Sequence, residues 1–96
     1  MLAGVLTALH WLHDNGWVHR DVRPSNIMFA GGTWYLMDLE WADKVTSSME
    51  SYTPRSEYLP PELAGVAGGM WTRKCDMWQF GKLIQYWDRL DEYARS

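Results

Sequence analysis

The stretch WVHRDVRPSNIMF, residues 17–29, places His19, Arg20, Asp21 and Asn26 within eight positions, between apolar ends. Charged groups are costly to hold beside a Val/Ile/Met/Phe framework unless they are paired or used. Asp21 and Asn26 are therefore either a working site or the polar residues of a turn, and the surrounding sequence decides between these readings.

On the C-terminal side, NIMFAGGTWYLMD reads as a β-hairpin. Two runs of β-formers flank Gly31-Gly32, a pair suited to a two-residue turn with positive φ. That turn pairs Ala30 with Thr33 and Met28 with Tyr35, and at its open end it sets Asn26 opposite Met37 and Asp38 opposite Ser25. Strict pleating would point Asn26 and Asp38 to opposite faces, so the ladder must loosen there if the two share a ligand.

On the N-terminal side, Leu2, Val5, Leu6, Leu9 and Leu12 form one apolar stripe at helical spacing, and Asn15-Gly16 is a good stop. Residues 39–60 show no clean periodicity, and a connection of that length reads as a functional lid or a disordered segment. PPELAG reads as a short helix opened by proline. A second strong helix is predicted from near Asp76, with Asp76 and Gln79 as a capping box and Met77, Phe80, Ile84 and Trp87 as its apolar stripe. Gly81 inside that helix suggests close packing with another element.

The chain has 96 residues, 47% hydrophobic and 22% charged, which fits one small globular domain burying roughly 60–65% of its unfolded surface. Seven tryptophans exceed what one small core hides and point to a contact surface. A net charge of −3 with scattered basic residues gives no sign of nucleic acid or an anionic membrane as partner. No run is long enough to span a bilayer, and the single Cys75 fits a reducing compartment, so the expected location is cytoplasmic or nuclear.

Asp21, Asn26 and Asp38 arrive at the same end of the hairpin, and this is the set phosphoryl transfer from a nucleotide needs. One carboxylate positions or deprotonates the attacking hydroxyl, while an amide oxygen and a second carboxylate hold Mg²⁺ on the phosphates. Arg23, two residues past Asp21, can neutralise the transferring group.

The residues also carry a resemblance. HRDVRPSN resembles the catalytic loop H-R-D-x-x-x-x-N of protein kinases. MDLE stands where that family has D-F-G, YLPPEL resembles its A-P-E segment, and CDMWQFGKLI resembles its D-x-W-x-x-G helix. The resemblance covers most of residues 1–85 and implies an α+β fold, a fragment of the C-terminal (large) lobe, mainly helical with one β-hairpin. It implies a partial protein kinase domain over residues 1–96, lacking the small lobe and the last helices.

The implied activity is transfer of the ATP γ-phosphate to Ser or Thr of a protein substrate, with ATP and Mg²⁺ as cofactors. By resemblance Asp21 is the catalytic base, and Arg23 takes the place of a lysine that reaches the γ-phosphate. Asn26 and Asp38 become the cofactor-binding Mg²⁺ ligands. His19 is structural, Arg20 meets a phosphorylated residue of the 39–60 segment, and Asp76 braces the catalytic loop, while Glu62 stands where the family has a glutamate that pairs with an arginine further along, a partner no segment here supplies. Candidate phosphorylation positions are Thr46, Ser47, Ser48, Ser51, Tyr52, Thr53, Ser56 and Tyr58.

The sequence departs from the family where Glu40 replaces the glycine of D-F-G, and where no Gly-rich loop or strand lysine covers the phosphates. The 96 residues alone are therefore expected to be inactive. Two alternatives stand beside this reading: a small-molecule phosphotransferase like those acting on choline or aminoglycosides, which the acidic DLE-W-A run resembles, and a non-catalytic interaction module acting through its tryptophans.

Overall fold

The structure is a computed structural model and describes residues 3–48, 52, 54, 56–64 and 69–95. Helix α1 spans Ala3–Asp14 and buries Val5, Leu9, Leu12 and His13 along one face. Of the predicted stripe, Leu6 is partly buried against the same core, and Leu2 lies outside the described residues. Gly16 ends the helix with φ +80°, and its N–H bonds to the His13 carbonyl at 3.1 Å. This left-handed closure satisfies carbonyls that the last turn leaves open.

Strand β1, Trp17–Val18, leads into the 19–26 loop, which closes in a 3₁₀ turn over Pro24–Asn26. Strands β2 (Ile27–Ala30) and β3 (Thr33–Leu36) form the expected hairpin, with Ala30 opposite Thr33 and Met28 opposite Tyr35. One further rung joins the Met37 N–H to the Asn26 carbonyl at 2.7 Å, and the chain then leaves strand geometry at Asp38, where φ is +61°. The loosening required at the open end is thus a left-handed aspartate, a residue whose short polar side chain tolerates that region.

The described residues of segment 39–60 are tied to the rest of the fold at several points. Strand β4, Asp43–Lys44, pairs antiparallel with β1. Thr46 N–H bonds to the Trp71 carbonyl at 2.7 Å and Trp71 N–H to the Ser47 carbonyl at 2.8 Å, while Ser48 bridges Met70. A 3₁₀ turn covers Ser56–Tyr58. Residues 61–64 form turns rather than a proline-opened helix, with Leu63 and Ala64 N–H bonded to the Pro60 and Pro61 carbonyls.

Helix α2 spans Arg73–Arg95 and begins three residues before Asp76. Asp76 and Gln79 do not form a capping box, because both side chains leave their own helix to bind the 19–22 backbone. The inward face carries Asp76, Gln79, Phe80 and Leu83, whereas Met77 and Ile84 of the predicted stripe are exposed. Gly81 is not a packing glycine, since a Cβ there would meet nothing within 4 Å. That role belongs to Gly4, where a Cβ would lie 2.9 Å from the Trp34 carbonyl oxygen and hold α1 off β3.

Two apolar clusters build the core. Val5, Leu9, Val22, Phe80 and Leu83 form one, with Ile27, Trp34, Leu36 and Trp87 packed around it. Val18, Leu63, Trp71 and Cys75 form the other, flanked by Val45, Tyr52 and Leu59. Val18 and Val22 therefore pin the two ends of His19–Asp21 into different clusters, and the polar loop between them is suspended across the seam. Trp71 is fully buried, while Trp11 is 65% exposed and Trp17 is also open, so part of the tryptophan excess does reach the surface. Among the described residues no helix is long and apolar enough to cross a membrane.

Candidate active site

The suspended loop is held from below by α2. The Asp76 carboxylate accepts the His19 N–H at 2.7 Å on Oδ2 and the Arg20 N–H at 2.8 Å on Oδ1. It also receives Nε2–H of His13, at 2.8 Å. Gln79 works in both directions: its Oε1 accepts the Val22 N–H at 2.9 Å, and its Nε2 donates to the Arg20 and Tyr58 carbonyls. All of these groups except Tyr58 are buried. A buried backbone N–H without a partner costs about 1–3 kcal/mol, so these two side chains are what lets an irregular loop exist inside the fold. Arg20 itself takes φ +74°, a conformation that non-glycine residues adopt only when surrounding contacts enforce it.

His19 ties the loop to the hairpin. Its Nε2 donates to the Met37 carbonyl at 2.9 Å and its Nδ1 accepts the Asp21 N–H at 3.1 Å. One ring nitrogen faces an acceptor and the other a donor, which assigns the Nε2–H tautomer.

Asp21 is 1% exposed. Asn26 donates its Nδ2 both to the Asp21 carbonyl at 2.7 Å and to Asp21 Oδ2 at 2.8 Å, which fixes the carboxylate's orientation. Arg23 Nε lies 3.3 Å from Asp21 Oδ1, a charge contact not aligned as a hydrogen bond. The Tyr52 hydroxyl donates to the same Oδ1 at 2.8 Å. Burial, reinforced by the hydrogen bond to Asp21 and its charge, pushes the Tyr52 phenol above the ordinary tyrosine range, with Arg23 and Arg20 opposing.

Asn26 and Asp38 flank the single rung between Asn26 and Met37, so the hairpin brings them to one end. Asp38 is exposed, and its Oδ1 accepts the Glu40 N–H at 3.1 Å. Because Asn26 gives its amide hydrogens to Asp21, its carbonyl oxygen is the atom left for a cation. With the Asp38 carboxylate this is an all-oxygen donor set of the kind Mg²⁺ takes, with water and phosphate filling the rest. No group of three or more His, Cys, Asp or Glu able to hold a metal by itself occurs among the described residues. The residues present fit a shared metal and not a closed protein cage.

Arg20 reaches the Trp41 carbonyl through Nε, lies 3.8 Å from Asp43 and stands 5.6 Å over the Tyr52 ring. Its burial lowers the guanidinium pKa, and Asp43, Tyr52 and Asp76 oppose that shift. Glu62 is exposed and receives the Cys75 thiol at 3.5 Å. Beside Arg23 an open hollow of about 420 Å³ is lined by Arg23, Pro24, Ser25, Tyr58 and Tyr86.

Sequence reasoning named Tyr52 only among eight phosphorylatable positions and did not find its contact with Asp21, nor the loop-binding role of Gln79. For Gln79 a signal exists: a polar residue on the same helical face as Asp76 and Leu83 has to be bonded to something. For Tyr52 there is none, because its place depends on the path of a segment without periodicity.

The protein kinase domain model matches residues 1–87. Over 80 residues the chain is 36% identical to the MAP kinase kinase skh1/pek1 of Schizosaccharomyces pombe, covering 81% of this chain and 22% of that one. It is 32% identical over 82 residues to cyclin-dependent kinase F-3 of Oryza sativa subsp. japonica, covering 83% and 19%. With Crinkler effector protein 8 of Phytophthora infestans it shares 36% identity over 89 residues, covering 88% and 14%. The chain thus spans between 14% and 22% of the length of these relatives. A buried, braced Asp21–Asn26 loop and a family match over nearly the whole sequence lead to one statement: the chain belongs to the protein kinase domain family.

Proposed function

We propose that these residues form the large-lobe floor of an ATP-dependent protein kinase site acting on Ser or Thr hydroxyls. The observation that carries this reading is the Asp21 carboxylate, buried and oriented by Asn26, on a loop whose backbone is fastened to Asp76 and Gln79. Asp21 accepts the proton of the attacking hydroxyl, and Asn26 aims it. Arg23 stands beside the same oxygen and offsets charge on the transferring phosphoryl group. Asn26 and Asp38 hold Mg²⁺, whose chemistry is to neutralise the phosphate oxygens. Arg20 and His19 keep the loop in shape. The hollow beside Arg23 receives the acceptor peptide.

Positioning supplies most of the rate in phosphoryl transfer, and the 96 residues hold little that encloses a nucleotide. By themselves they turn over negligibly, and the activity is that of the protein in which the sequence works. The test is that protein, Mg·ATP and three acceptors: a Ser/Thr peptide library, choline and an aminoglycoside. Phosphate on Ser or Thr of peptides supports this reading. Phosphate on a small molecule and not on peptides would replace it with the small-molecule alternative, and no transfer at all would favour the contact module.

A further inference from the structure

We propose that the site prefers acceptor peptides carrying Asp or Glu beside the Ser or Thr, and that Lys82 and Arg89 of α2, together with Arg23, read those carboxylates. The inference rests on the kinase reading above and names the class of peptide taken by that same site.

The hollow beside Arg23 continues past its own walls. Tyr58 and Tyr86 also line a second open hollow of about 260 Å³, whose other walls are Glu57, Lys82, Gln85 and Arg89. The two adjoin through the shared tyrosines, so a groove leads from Arg23, 3.3 Å from Asp21 Oδ1, out along α2. Lys82, Gln85, Tyr86 and Arg89 fall at i, i+3, i+4 and i+7, on one face of that helix. The helical rise separates Lys82 from Arg89 by about 10 Å, the length of roughly three residues of extended peptide. A strand of peptide lying in the groove therefore passes more than one cation.

Contacts outside the groove order its walls. Gln79 Nε2 donates to the Tyr58 carbonyl at 2.8 Å, and Tyr86 meets Trp87 edge-on at 5.8 Å between centroids. The Lys82 ammonium stands 5.7 Å from the Trp78 ring centre, a contact that orders the side chain without neutralising its charge.

Charge decides what such a groove takes. The chain carries a net charge of −3, yet the described lining sets Arg23, Lys82 and Arg89 against one carboxylate, Glu57, which has a partner of its own. Arg23 Nε adds a buried N–H that has no hydrogen-bond acceptor. A positive groove on a negative molecule draws in anionic segments and turns cationic ones away. Guanidinium forks in particular match carboxylates.

The test uses the protein carrying this sequence, Mg·ATP and peptides with one Ser whose neighbours on both sides are Asp, Asn or Lys. The Asp peptide is expected to exceed the Asn peptide about tenfold in kcat/KM, mostly through KM, as two or three exposed ion pairs give at a few-fold each. The Lys peptide ranks lowest, and the gap narrows between about 0.05 and 0.5 M salt because exposed charges are screened. Lys82→Glu and Arg89→Glu, both at exposed helix positions, each shrink the gap, and together they reverse the order of the Asp and Lys peptides. Equal use of the three peptides, or an unchanged order in the double variant, overturns this proposal while the kinase reading stands. So does a preference for phosphoserine neighbours with none for Asp.

Transfer to no peptide overturns the kinase reading, and the groove is then judged without ATP. A fluorescent Asp peptide with Ala in place of the Ser should bind more tightly, by anisotropy, than its Lys counterpart. Equal binding, or none, overturns the proposal as well.

Discussion

The Asp21 carboxylate meets three side chains with different tasks, and the geometry separates them. Asn26 binds Oδ2 and the main-chain carbonyl, so it sets orientation, whereas Arg23 and Tyr52 converge on Oδ1. Replacing Asn26 by alanine leaves two buried acceptors without partners. The expected loss is about 1–3 kcal/mol of stability, read from chemical denaturation midpoints. A loss below about 0.5 kcal/mol would mean that water takes over both bonds. Asp21, Arg23 and Asn26 were singled out from residue types and spacing on one loop, but the sequence reading did not include the bonds from Asn26 to Asp21 or the contact of Arg23 with it. Tyr52 was not legible, since its approach to Asp21 depends on residues far from both in sequence. The capping-box reading of Asp76 and Gln79 failed for a physical reason: the residue types that cap a helix are also those that accept backbone N–H groups from elsewhere.

At the scale of elements, what the sequence revealed was what repeats locally. The α1 stripe and the β2–β3 register follow from periodicities of 3.6 and 2 with a Gly-Gly turn between the strands. The β1–β4 pair escaped because each strand has two residues, too few to show alternation. The inward face of α2 was misplaced because its innermost residues, Asp76 and Gln79, are polar and drop out of an apolar pattern. The glycines give a set of predictions with opposite signs. Gly16→Ala puts a side chain at φ +80° and costs about 1–2 kcal/mol. Gly4→Ala forces α1 and β3 apart against a backbone oxygen and also destabilises. Gly81→Ala, in a helix with open space, stabilises by about 0.5–1 kcal/mol. Thermal denaturation of the three variants checks all the signs together, and a destabilised Gly81→Ala would show α2 packed more closely than it is.

Across the described residues the two apolar clusters act as supports, and the polar seam between them carries the proposed site. That arrangement buries ionisable groups, which makes stability depend on pH. Burial first of all raises the Cys75 thiol, although Thr72 opposes, and it raises the Tyr52 phenol likewise. A raised acid holds its proton longer in the folded state than in the unfolded one. Stability is therefore complete below the unfolded values, 9.0 for the thiol and 10.0 for the phenol, and falls as pH rises past them. Tyr52→Phe and Cys75→Ser should each flatten that alkaline decline in denaturation curves taken from pH 8 upward, and an unchanged slope in both would remove burial of these groups as its cause.

The central claim is that Asp21 is the proton acceptor of a phosphoryl-transfer site. The measurement that meets it most directly is the kcat of Asp21→Asn in the protein carrying this sequence, with Mg·ATP and a phosphorylatable peptide, alongside its melting temperature. The isosteric amide keeps a hydrogen-bond acceptor for Asn26 and removes the base. The account predicts a kcat lower by about 10²–10⁴-fold with melting changed by only a few degrees. A folded variant that turns over at the wild-type rate would contradict it.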